Sequence, residues 1–382
     1  MKKIVISTGG GDAPGLNAVI FAVVQACHNR GWEVYGSRSG YLGLLDLDEL
    51  VRLTPEVVAG ITPLGGTIIG STNKGNPFAM PIDNLAGEVD IKDVSDRVMK
   101  NFRRMGFFCH IAVGGDGSLE IAHRFAVEKG MPVIGVPKTI DNDLESTQLT
   151  FGFDTAVSTA TDALDRLHST AKSHDRVMVV EVMGRDSGWI AVNSGIAGDA
   201  DVILIPEIPF DMDLVCAKID ENELHDKNYA IVVVAEGARA MDHQGVIHKE
   251  NAETGRGEVL LGGIGEWVAK EINKRTGKDT RSLVLGHLQR GGSPTTFDRV
   301  LALRFGATAV RLAEAERFDH MVALEGDDMV AVRLAEAVRK RKMVPVDGDR
   351  VGTAVEIGIN LGADISPASF DRQPAEISPK PE

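Results

Sequence analysis

A dense polar stretch, VPKTIDNDL at residues 136–144, directly follows an apolar run. It carries Lys138, Thr139, Asp141 and Asp143. The two aspartates are two positions apart, so their carboxylates can point the same way in an extended or turning segment. One carboxylate could then take a proton while the other helps to hold a metal ion. Taken alone, the stretch also fits a solvated acidic loop. A functional interpretation therefore needs matching residues in other turns of the chain.

Two glycine-rich turns carry the residue types that bind polyphosphates. The first, STGGGDAPGLNAVI at residues 7–20, leads from a strand into a helix, where glycines allow close approach and free amides favour anions. The second, GGDGS at residues 114–118, contains Asp116, which would repel phosphate unless Mg²⁺ lay between them. The alternatives are a tight strand–helix turn and an Asx turn that caps a helix. The first segment is neither GxGxxG nor a Walker loop, which disfavours a nicotinamide dehydrogenase or an ordinary P-loop ATPase.

Cationic side chains lie before and after two of the predicted strands. They are Arg176, Arg185, Arg281, His287 and Arg290. Guanidinium groups match phosphate oxygens bidentately. A surface salt bridge is the commoner role of any single arginine, but four at strand termini indicate an anionic ligand. Glu236 ends another strand, where it could accept hydrogen bonds from sugar hydroxyls or pair with a lysine.

The elements that must position these residues are short apolar strands alternating with amphipathic helices. Strands are predicted at residues 4–6, 109–113, 133–136, 177–182, 202–205, 231–234 and 283–285, and helices at 92–105, 153–170, 212–223 and 258–275. Strands that are apolar throughout suit parallel sheets covered on both faces. The alternation predicts an α/β fold with doubly wound sheets, whose ligands bind beyond the carboxyl ends of the strands.

Composition narrows the class of protein. The 382 residues are enough for two domains. A formal net charge of −14 disfavours a general nucleic-acid binder, and no apolar run approaches the ~20 residues that span a bilayer. The three cysteines, Cys27, Cys109 and Cys216, are far apart and fit a reducing compartment. We therefore expect a cytoplasmic protein with no nucleic-acid or membrane partner.

Five motifs in this order resemble the 6-phosphofructokinase family over roughly residues 1–365. They are GGDAPG, GGDGS, PxTIDND, EVMGR and GHxQRGGSP. The resemblance implies two doubly wound, Rossmann-like α/β domains with largely parallel sheets. It implies a phosphoryl-donor domain of residues 1–152 and 288–339, a fructose 6-phosphate domain of residues 153–287 and 340–365, and a flexible tail of residues 366–382.

The resemblance also implies an activity, the Mg²⁺-dependent transfer of the γ-phosphoryl group of ATP to the 1-hydroxyl of fructose 6-phosphate in glycolysis. Asp141 matches the general base, and Thr139, Arg185 and Lys138 complete the catalytic set. The donor site matches Gly11, Tyr41, Lys74, Gly114, Gly115, Asp116, Gly117 and Ser118. The sugar-phosphate site matches Thr139, Asp141, Arg176, Met183, Gly184, Arg185, Glu236, Arg281, His287 and Arg290. Asp116 and Asp143 match the Mg²⁺-side acids.

Arg176 and Arg281 match two arginines that a neighbouring subunit contributes. This implies a homodimer or homotetramer with active sites shared between subunits. An alternative within the family, a non-catalytic member that only binds sugar phosphate or regulates a partner, is disfavoured by the intact TIDND and GGDG motifs.

The phosphoryl donor depends on two positions together. Family members that use ATP have glycine at position 117, whereas pyrophosphate users combine aspartate there with lysine at position 138. This chain has Gly117 with Lys138. We expect ATP, because a carboxylate at position 117 would repel its α-phosphate and glycine leaves that space open. The alternative is the pyrophosphate-dependent enzyme.

Two further departures from the family concern nucleotides. Ile121 stands where many ATP users have a small glycine near the adenine, and Asn73 with Lys74 stands where an arginine usually meets the donor phosphates. Phe21, Gln25 and His168 stand where allosteric bacterial members have effector-binding arginines. We therefore expect weak or absent activation by nucleoside diphosphates.

Overall fold

A computed structural model describes residues 1–72, 75–83, 89–241 and 262–370. This part of the chain divides into two compact units. Unit 1 contains the described residues of 1–159 together with 287–342, and unit 2 contains those of 160–286 together with 343–370. The predicted boundaries after residues 152, 287 and 339 lie close to these divisions. The donor and sugar-phosphate roles of the two units stay a prediction.

Strands and helices alternate along most of the described chain. In order they are β1 (Lys3–Thr8), α1 (Leu16–His28), β2 (Glu33–Ser37), α2 (Leu42–Leu45), β3 (Leu50–Leu53), β4 (Met80–Asp83), β5 (Val89–Lys92), α3 (Ser95–Met105), β6 (Cys109–Gly114), α4 (Asp116–Lys129), β7 (Val133–Pro137), α5 (Phe153–Ser173), β8 (Val177–Val182), α6 (Trp189–Ala197), β9 (Val202–Leu204), α7 (Met212–Leu224), β10 (Ala230–Ala235), α8 (Ile264–Thr276), β11 (Thr280–Val284), α9 (Thr296–Glu314), β12 (His320–Glu325), β13 (Asp328–Arg333), α10 (Leu334–Ala337) and α11 (Asp349–Glu356). Short 3₁₀ helices span Leu47–Glu49, Gly286–Arg290 and Pro367–Phe370.

The described residues of unit 1 form a seven-stranded sheet in the order β13-β12-β7-β6-β1-β2-β3. Its inner pairs are parallel, and the two edge strands β13 and β3 run antiparallel to their neighbours. Strands β6 and β7 are buried throughout, as their uninterrupted apolar sequences predict. Parallel pairing brings the carboxyl ends of β7, β6 and β1 to one edge, where the three polar turns begin.

Unit 2 is built on a four-stranded parallel sheet, in the order β11-β8-β10-β9, among its described residues. Strand β10, AIVVVA, is completely buried and lies between β8 and β9. Helices α7 and α8 contribute Val215 and Ile272 to a core that contains Val179 and Val232. The predicted α/β class with largely parallel sheets is therefore confirmed.

Two buried or capping carboxylates explain where helices begin. Helix α3 starts at Ser95 rather than at the predicted residue 92, because Asp93 accepts hydrogen bonds from both the backbone amide (2.8 Å) and the hydroxyl (2.6 Å) of Ser95. Helix α8 starts at Ile264, and the first four residues of the predicted helix, 258–261, lie outside the described residues. Glu181, buried on β8, accepts the amides of Gly263 and Gly265 there, at 3.1 and 2.8 Å.

Some predictions fall partly or wholly outside the described residues. These are the first residues of the predicted 258–275 helix, the donor-site residue Lys74, and residues 371–382 of the predicted flexible tail. The last predicted strand, at residues 283–285, was placed too late, since β11 spans Thr280–Val284. Across the described part of the chain, no helix combines the length and apolar character needed to cross a bilayer.

Candidate active site

Three turns meet at the carboxyl edge of the unit 1 sheet. The amide of Gly9, after β1, donates to the carbonyl of Val113 at the end of β6 (2.9 Å). The amide of Lys138, after β7, donates to the carbonyl of Gly114 (2.9 Å). The strand register thus places the segments GGGD, GGDGS and KTIDND side by side, although more than a hundred residues separate the first from the other two in sequence.

Glycine is required in the first two turns because they approach each other closely. A Cβ atom on Gly9 would lie 2.7 Å from the Oγ atom of Ser118, and Gly10 has a positive φ of 77°. The carbonyl of Gly10 accepts a hydrogen bond from the hydroxyl of Ser71 at 2.6 Å. The first turn is therefore held between Ser118 on one side and Ser71 on the other, and its residues 9–12 are partly exposed.

Lys138 connects the third turn to the first. Its side chain is buried, and its ammonium group donates to the carbonyl of Gly11. Burial, with the nearby charge of Arg290, lowers the pKa of Lys138 to about 8, against the opposing effect of Asp141 and other carboxylates. A buried amine with a lowered pKa is a candidate ligand for an anion such as a phosphate.

Arg290 also lies at the first turn. Its Nη1 atom donates to the carbonyl of Asp12 (3.2 Å) and would be 2.8 Å from a Cβ atom on Gly11. The resemblance implies a donor role for Gly11 and a sugar-phosphate role for Arg290, and the structure places both residues beside each other, with Lys138 bonded to Gly11. His287, from the same assigned set, is an exposed residue of unit 1.

The TIDND turn is fixed internally by short polar contacts. The hydroxyl of Thr139 accepts the amide of Asp141 (3.1 Å), and the carbonyl of Thr139 accepts the hydroxyl of Thr150 (2.7 Å). Asn142 adopts a positive φ of 50° and accepts the amide of Thr150 at 3.2 Å. This tight conformation presents Asp141 and Asp143 on the same short loop, as their spacing predicts.

Asp143 lies within electrostatic reach of two other carboxylates at this edge. Burial, together with the charges of Asp141 and Asp116, raises the pKa of Asp143 to about 7. The effect of Asp116 places the second turn within electrostatic reach of the third. Oxygen ligands of this type, one or two carboxylates completed by phosphates and water, suit Mg²⁺. Asp116 and Asp143 thus fit a cation that arrives with a polyphosphate.

Two basic residues that the sequence did not single out complete this cluster. Arg341 contacts the Oδ2 atom of Asp116 through Nη2 (3.1 Å) and Nε (3.2 Å). The ammonium of Lys342 donates to Asn142 Oδ1 and to the carbonyls of Thr147 and Gln148, at 2.9 to 3.0 Å. Their only signal in the sequence is the run RKRK at 339–342, which is also typical of a solvated surface.

The remaining donor-site predictions differ in their surroundings. Gly114 and Gly115 belong to the second turn, and Gly117 is exposed, with no atom within 4 Å of the position that a Cβ atom would take. Tyr41 is instead buried in the core of unit 1, where its ring stacks on Phe125 with centroids 5.1 Å apart. The backbone around Gly117 is open, whereas the ring of Tyr41 is enclosed.

In unit 2, the assigned residues occupy both ends of the sheet. Met183, Gly184 and Arg185 follow β8, and Glu236 follows the neighbouring β10, with its amide donating to the carbonyl of Val182 (2.9 Å). The sheet thereby brings Arg185 and Glu236 to its carboxyl edge. Gly184 has a φ of 132°, which the turn after β8 requires.

Arg176 and Arg281 lie at the opposite end of the same sheet. Arg176 precedes β8, and Arg281 is the second residue of β11. Both pair with Asp279, through Nε to Oδ2 and Nη1 to Oδ1, each at 2.5 Å. Strand β8 has six residues, so about 20 Å separates this pair from Arg185 within one chain.

A comparison with known families decides what these features belong to. The family model described as "Phosphofructokinase" matches residues 3–313. This chain belongs to the phosphofructokinase family. The family resemblance predicted from the five motifs is confirmed.

Curated phosphofructokinases resemble the chain over most of its length. A protein of Chloroflexus aggregans named ATP-dependent 6-phosphofructokinase is 50% identical over 329 residues, which cover 86% of this chain and 89% of that protein. A Streptomyces coelicolor protein named pyrophosphate–fructose 6-phosphate 1-phosphotransferase is 49% identical over 330 residues, which cover 86% of this chain and 92% of that protein. The crystal structure of Pichia pastoris phosphofructokinase in the T-state is similar with a TM-score of 0.75 and 30% identity, covering 94% of this chain and 36% of that one.

The residues that stand where the resemblance implies effector and adenine sites make contacts within their own units. In unit 1, Phe21 is partly buried against the hydrophobic core. In unit 2, the Nε2 atom of His168 is hydrogen-bonded to the carbonyl of Gly198 (2.8 Å), and its ring meets Tyr229 edge-on. Ile121, beside the predicted adenine position, packs against the core that contains Tyr41. Weak activation by nucleoside diphosphates stays a prediction.

Proposed function

We propose that this chain is an ATP-dependent 6-phosphofructokinase, which transfers the γ-phosphoryl group of ATP to the 1-hydroxyl of fructose 6-phosphate. The observation that carries the proposal is the meeting of the GGGD, GGDGS and KTIDND turns at one sheet edge. The names of relatives at about half identity support the same reaction. The cytoplasmic location stays a prediction.

Asp141 is the proposed general base for the sugar hydroxyl. It lies on a loop whose backbone is fixed by Thr139 and Thr150, so its carboxylate is held in a defined place next to Asp143. In phosphoryl transfer, positioning and charge stabilisation supply most of the rate, and a base adds to them by removing the hydroxyl proton. Thr139 and Lys138 would hold the phosphoryl oxygens as charge spreads over them.

Asp116 and Asp143 are the proposed ligands of Mg²⁺. Bound there with the donor, Mg²⁺ would neutralise the phosphate charge and help to orient the phosphoryl group. The two carboxylates come from different turns, so the cation-binding position lies between the donor loop and the base. This arrangement fits a metal that is shared between protein and polyphosphate rather than one held by a complete set of side chains.

The open space around Gly117 favours ATP as the donor. A nucleotide needs room for its α-phosphate beside the second turn, and nothing approaches the Cβ position of Gly117 within 4 Å. Pyrophosphate is the second candidate, because a relative of 49% identity is named for it and because Lys138 is compatible with either donor. Most of the site residues would serve either donor, so the rate of product formation with ATP and with pyrophosphate distinguishes the two.

Fructose 6-phosphate is the proposed acceptor. Arg185 and Glu236, with Met183 and Gly184, would bind the sugar phosphate from the carboxyl edge of the unit 2 sheet. Arg176 and Arg281 are about 20 Å away along β8, so they cannot join the same site within one chain. We infer a homo-oligomer, a dimer or tetramer, in which this pair serves the site of a neighbouring subunit.

The proposal is tested by following product formation from fructose 6-phosphate and Mg²⁺. Fructose 1,6-bisphosphate is measured with ATP, with pyrophosphate, and with neither donor. We expect turnover with ATP, abolished by EDTA and restored by added Mg²⁺. The absence of fructose 1,6-bisphosphate with both donors would contradict the proposed function.

A further inference from the structure

We propose that Arg341 is a donor-phosphate ligand that serves as the counter-ion of Asp116 until Mg²⁺ and the donor bind. This inference rests on the proposed function and adds a residue to the donor site. It starts from the contact of Nη2 and Nε of Arg341 with the single oxygen Oδ2 of Asp116, at 3.1 and 3.2 Å. The other oxygen of Asp116, Oδ1, accepts the amide of Gly117 at 2.7 Å.

The backbone at position 341 is fixed beside the catalytic loop. Arg341 forms an isolated antiparallel bridge with Leu144, and the amide of Lys342 donates to the carbonyl of Asp143 (2.9 Å). Lys342 then holds the loop through three further oxygen contacts. Arg341 is thus anchored at its main chain, between the turn that carries Asp116 and the turn that carries Asp143.

The guanidinium group itself is partly exposed to solvent. The side chain of Arg341 is 45% exposed and that of Asp116 is 46% exposed. Exposed ion pairs contribute little to stability, so exchanging this partner for another anion costs little free energy. An anchored backbone with an exposed, charged end allows the side chain to change partners without moving the loop.

Binding of a divalent cation to Asp116 would release Arg341. A cation on this carboxylate would lie within a few ångströms of the guanidinium and repel it. The nearest new anion would be the donor phosphate, which the open backbone at Gly117 admits beside Asp116. A guanidinium fork matches two phosphate oxygens, and the sequence has asparagine and lysine, not arginine, at positions 73 and 74.

The two roles predict opposite effects of one substitution. Binding of Mn²⁺ alone, as a probe for Mg²⁺, is measured by electron paramagnetic resonance. Binding of the Mg²⁺ complex of the imido analogue of ATP is measured by calorimetry. In Arg341→Gln, we expect Mn²⁺ to bind severalfold more tightly, because Asp116 has lost its counter-ion. We expect the analogue to bind about tenfold more weakly, because a charge-assisted hydrogen bond is lost.

Two further variants make the test specific. Arg341→Lys keeps the charge but not the fork, so Mn²⁺ affinity should stay near that of the wild type while analogue affinity still falls. This variant also carries the test if Arg341→Gln does not fold. Arg339→Gln removes an equal charge at an exposed position two residues earlier and should change neither affinity.

A purely structural role gives a different pattern. If Arg341→Gln weakens both Mn²⁺ and analogue binding, or changes neither, the inference is wrong while the proposed function stands, provided that the wild-type protein makes fructose 1,6-bisphosphate. Wild-type protein that binds no analogue and makes no product would overturn both. In kinetics, we expect the KM for ATP to rise in Arg341→Gln, with the KM for fructose 6-phosphate nearly unchanged.

Discussion

Arg176 and Arg281 share the carboxylate of Asp279, one on each of its oxygens, at the end of the unit 2 sheet that is opposite to Arg185. The shared carboxylate holds two like charges side by side. The hydrogen bond from Arg176 and the charges of both arginines lower the pKa of Asp279. Such a pair suits a phosphate group, and its distance from Arg185 supports the proposal that it serves the site of a neighbouring subunit.

Mixed subunits test this sharing of sites. Asp141→Ala and Arg281→Ala should each be nearly inactive as pure proteins. After unfolding and refolding together in equal amounts, hybrid oligomers contain a site with Asp141 from one subunit and Arg281 from the other. We expect recovery of up to about a quarter of wild-type activity if each site is built from two subunits. Refolding each variant alone is the control, and no recovery in the mixture would contradict shared sites.

Asp141→Ala tests the general base. We expect kcat to fall by at least about 10²-fold, because the sugar hydroxyl loses its proton acceptor, with little change in the KM for fructose 6-phosphate. Glu145→Gln, in the same loop, is the matched control, since Glu145 pairs with Lys340 at 3.4 Å and has no assigned catalytic role. Near-normal turnover in Asp141→Ala would exclude it as the base.

Gly117→Asp tests the donor. Because the Cβ position is open and acidic residues are favoured in the first turn of α4, we expect the variant to fold normally. The new carboxylate would meet the α-phosphate of ATP, so the KM for ATP should rise about tenfold or more. Gly117→Ala should bind ATP almost normally. A normal KM for ATP in Gly117→Asp would contradict this explanation of donor choice, and an equal loss in both variants would show that space rather than charge excludes ATP.

The buried ammonium of Lys138 predicts a pH dependence of stability. Its pKa, about 8, lies below the 10.5 of an exposed lysine, so the unfolded chain binds more protons between these values. The free energy of unfolding therefore rises with pH between about 8 and 10.5 as the buried amine loses its proton. Below pH 8 the charged amine destabilises the folded state to the full extent. The free energy of unfolding of Lys138→Met minus that of the wild type should be roughly 1–3 kcal/mol larger at pH 7 than at pH 10.

Urea unfolding of both proteins at the two pH values measures this difference. Comparing the same pair of proteins at two pH values cancels the constant loss of the hydrogen bond to Gly11. Lys100→Met, at an exposed position of α3, controls for the loss of one ammonium group. A difference between Lys138→Met and wild type that is equal at pH 7 and pH 10 would show that burial does not disfavour the charged amine.

Much of the fold could be predicted because the inner strands have unambiguous sequences. Strands β6, β8 and β10 are apolar almost throughout, and only a buried parallel strand suits such runs. The edge strands β3 and β13 are short or half-exposed, with mixed composition, so their patterns carried less information. Strand β11 was placed too late because Thr280, Arg281 and Ser282 are polar, although they pair with β8.

The candidate site was predictable where its residues lie in turns after strands. GGGD, GGDGS and TIDND each follow such a strand, so parallel pairing brings them together. Arg341 and Lys342 could not be found in this way. They lie about 200 positions after the loop that they contact, in a basic run whose composition indicates only a solvated surface. Their position beside the loop depends on a single backbone bridge, Leu144 to Arg341, which no local pattern encodes.

The central claim is that this site transfers a phosphoryl group from ATP to fructose 6-phosphate. The most direct measurement is the initial rate of fructose 1,6-bisphosphate formation by the purified chain with Mg²⁺ and saturating fructose 6-phosphate, with ATP and pyrophosphate compared at equal concentrations. We expect a much higher rate with ATP. Formation of the product with pyrophosphate alone would contradict the central claim.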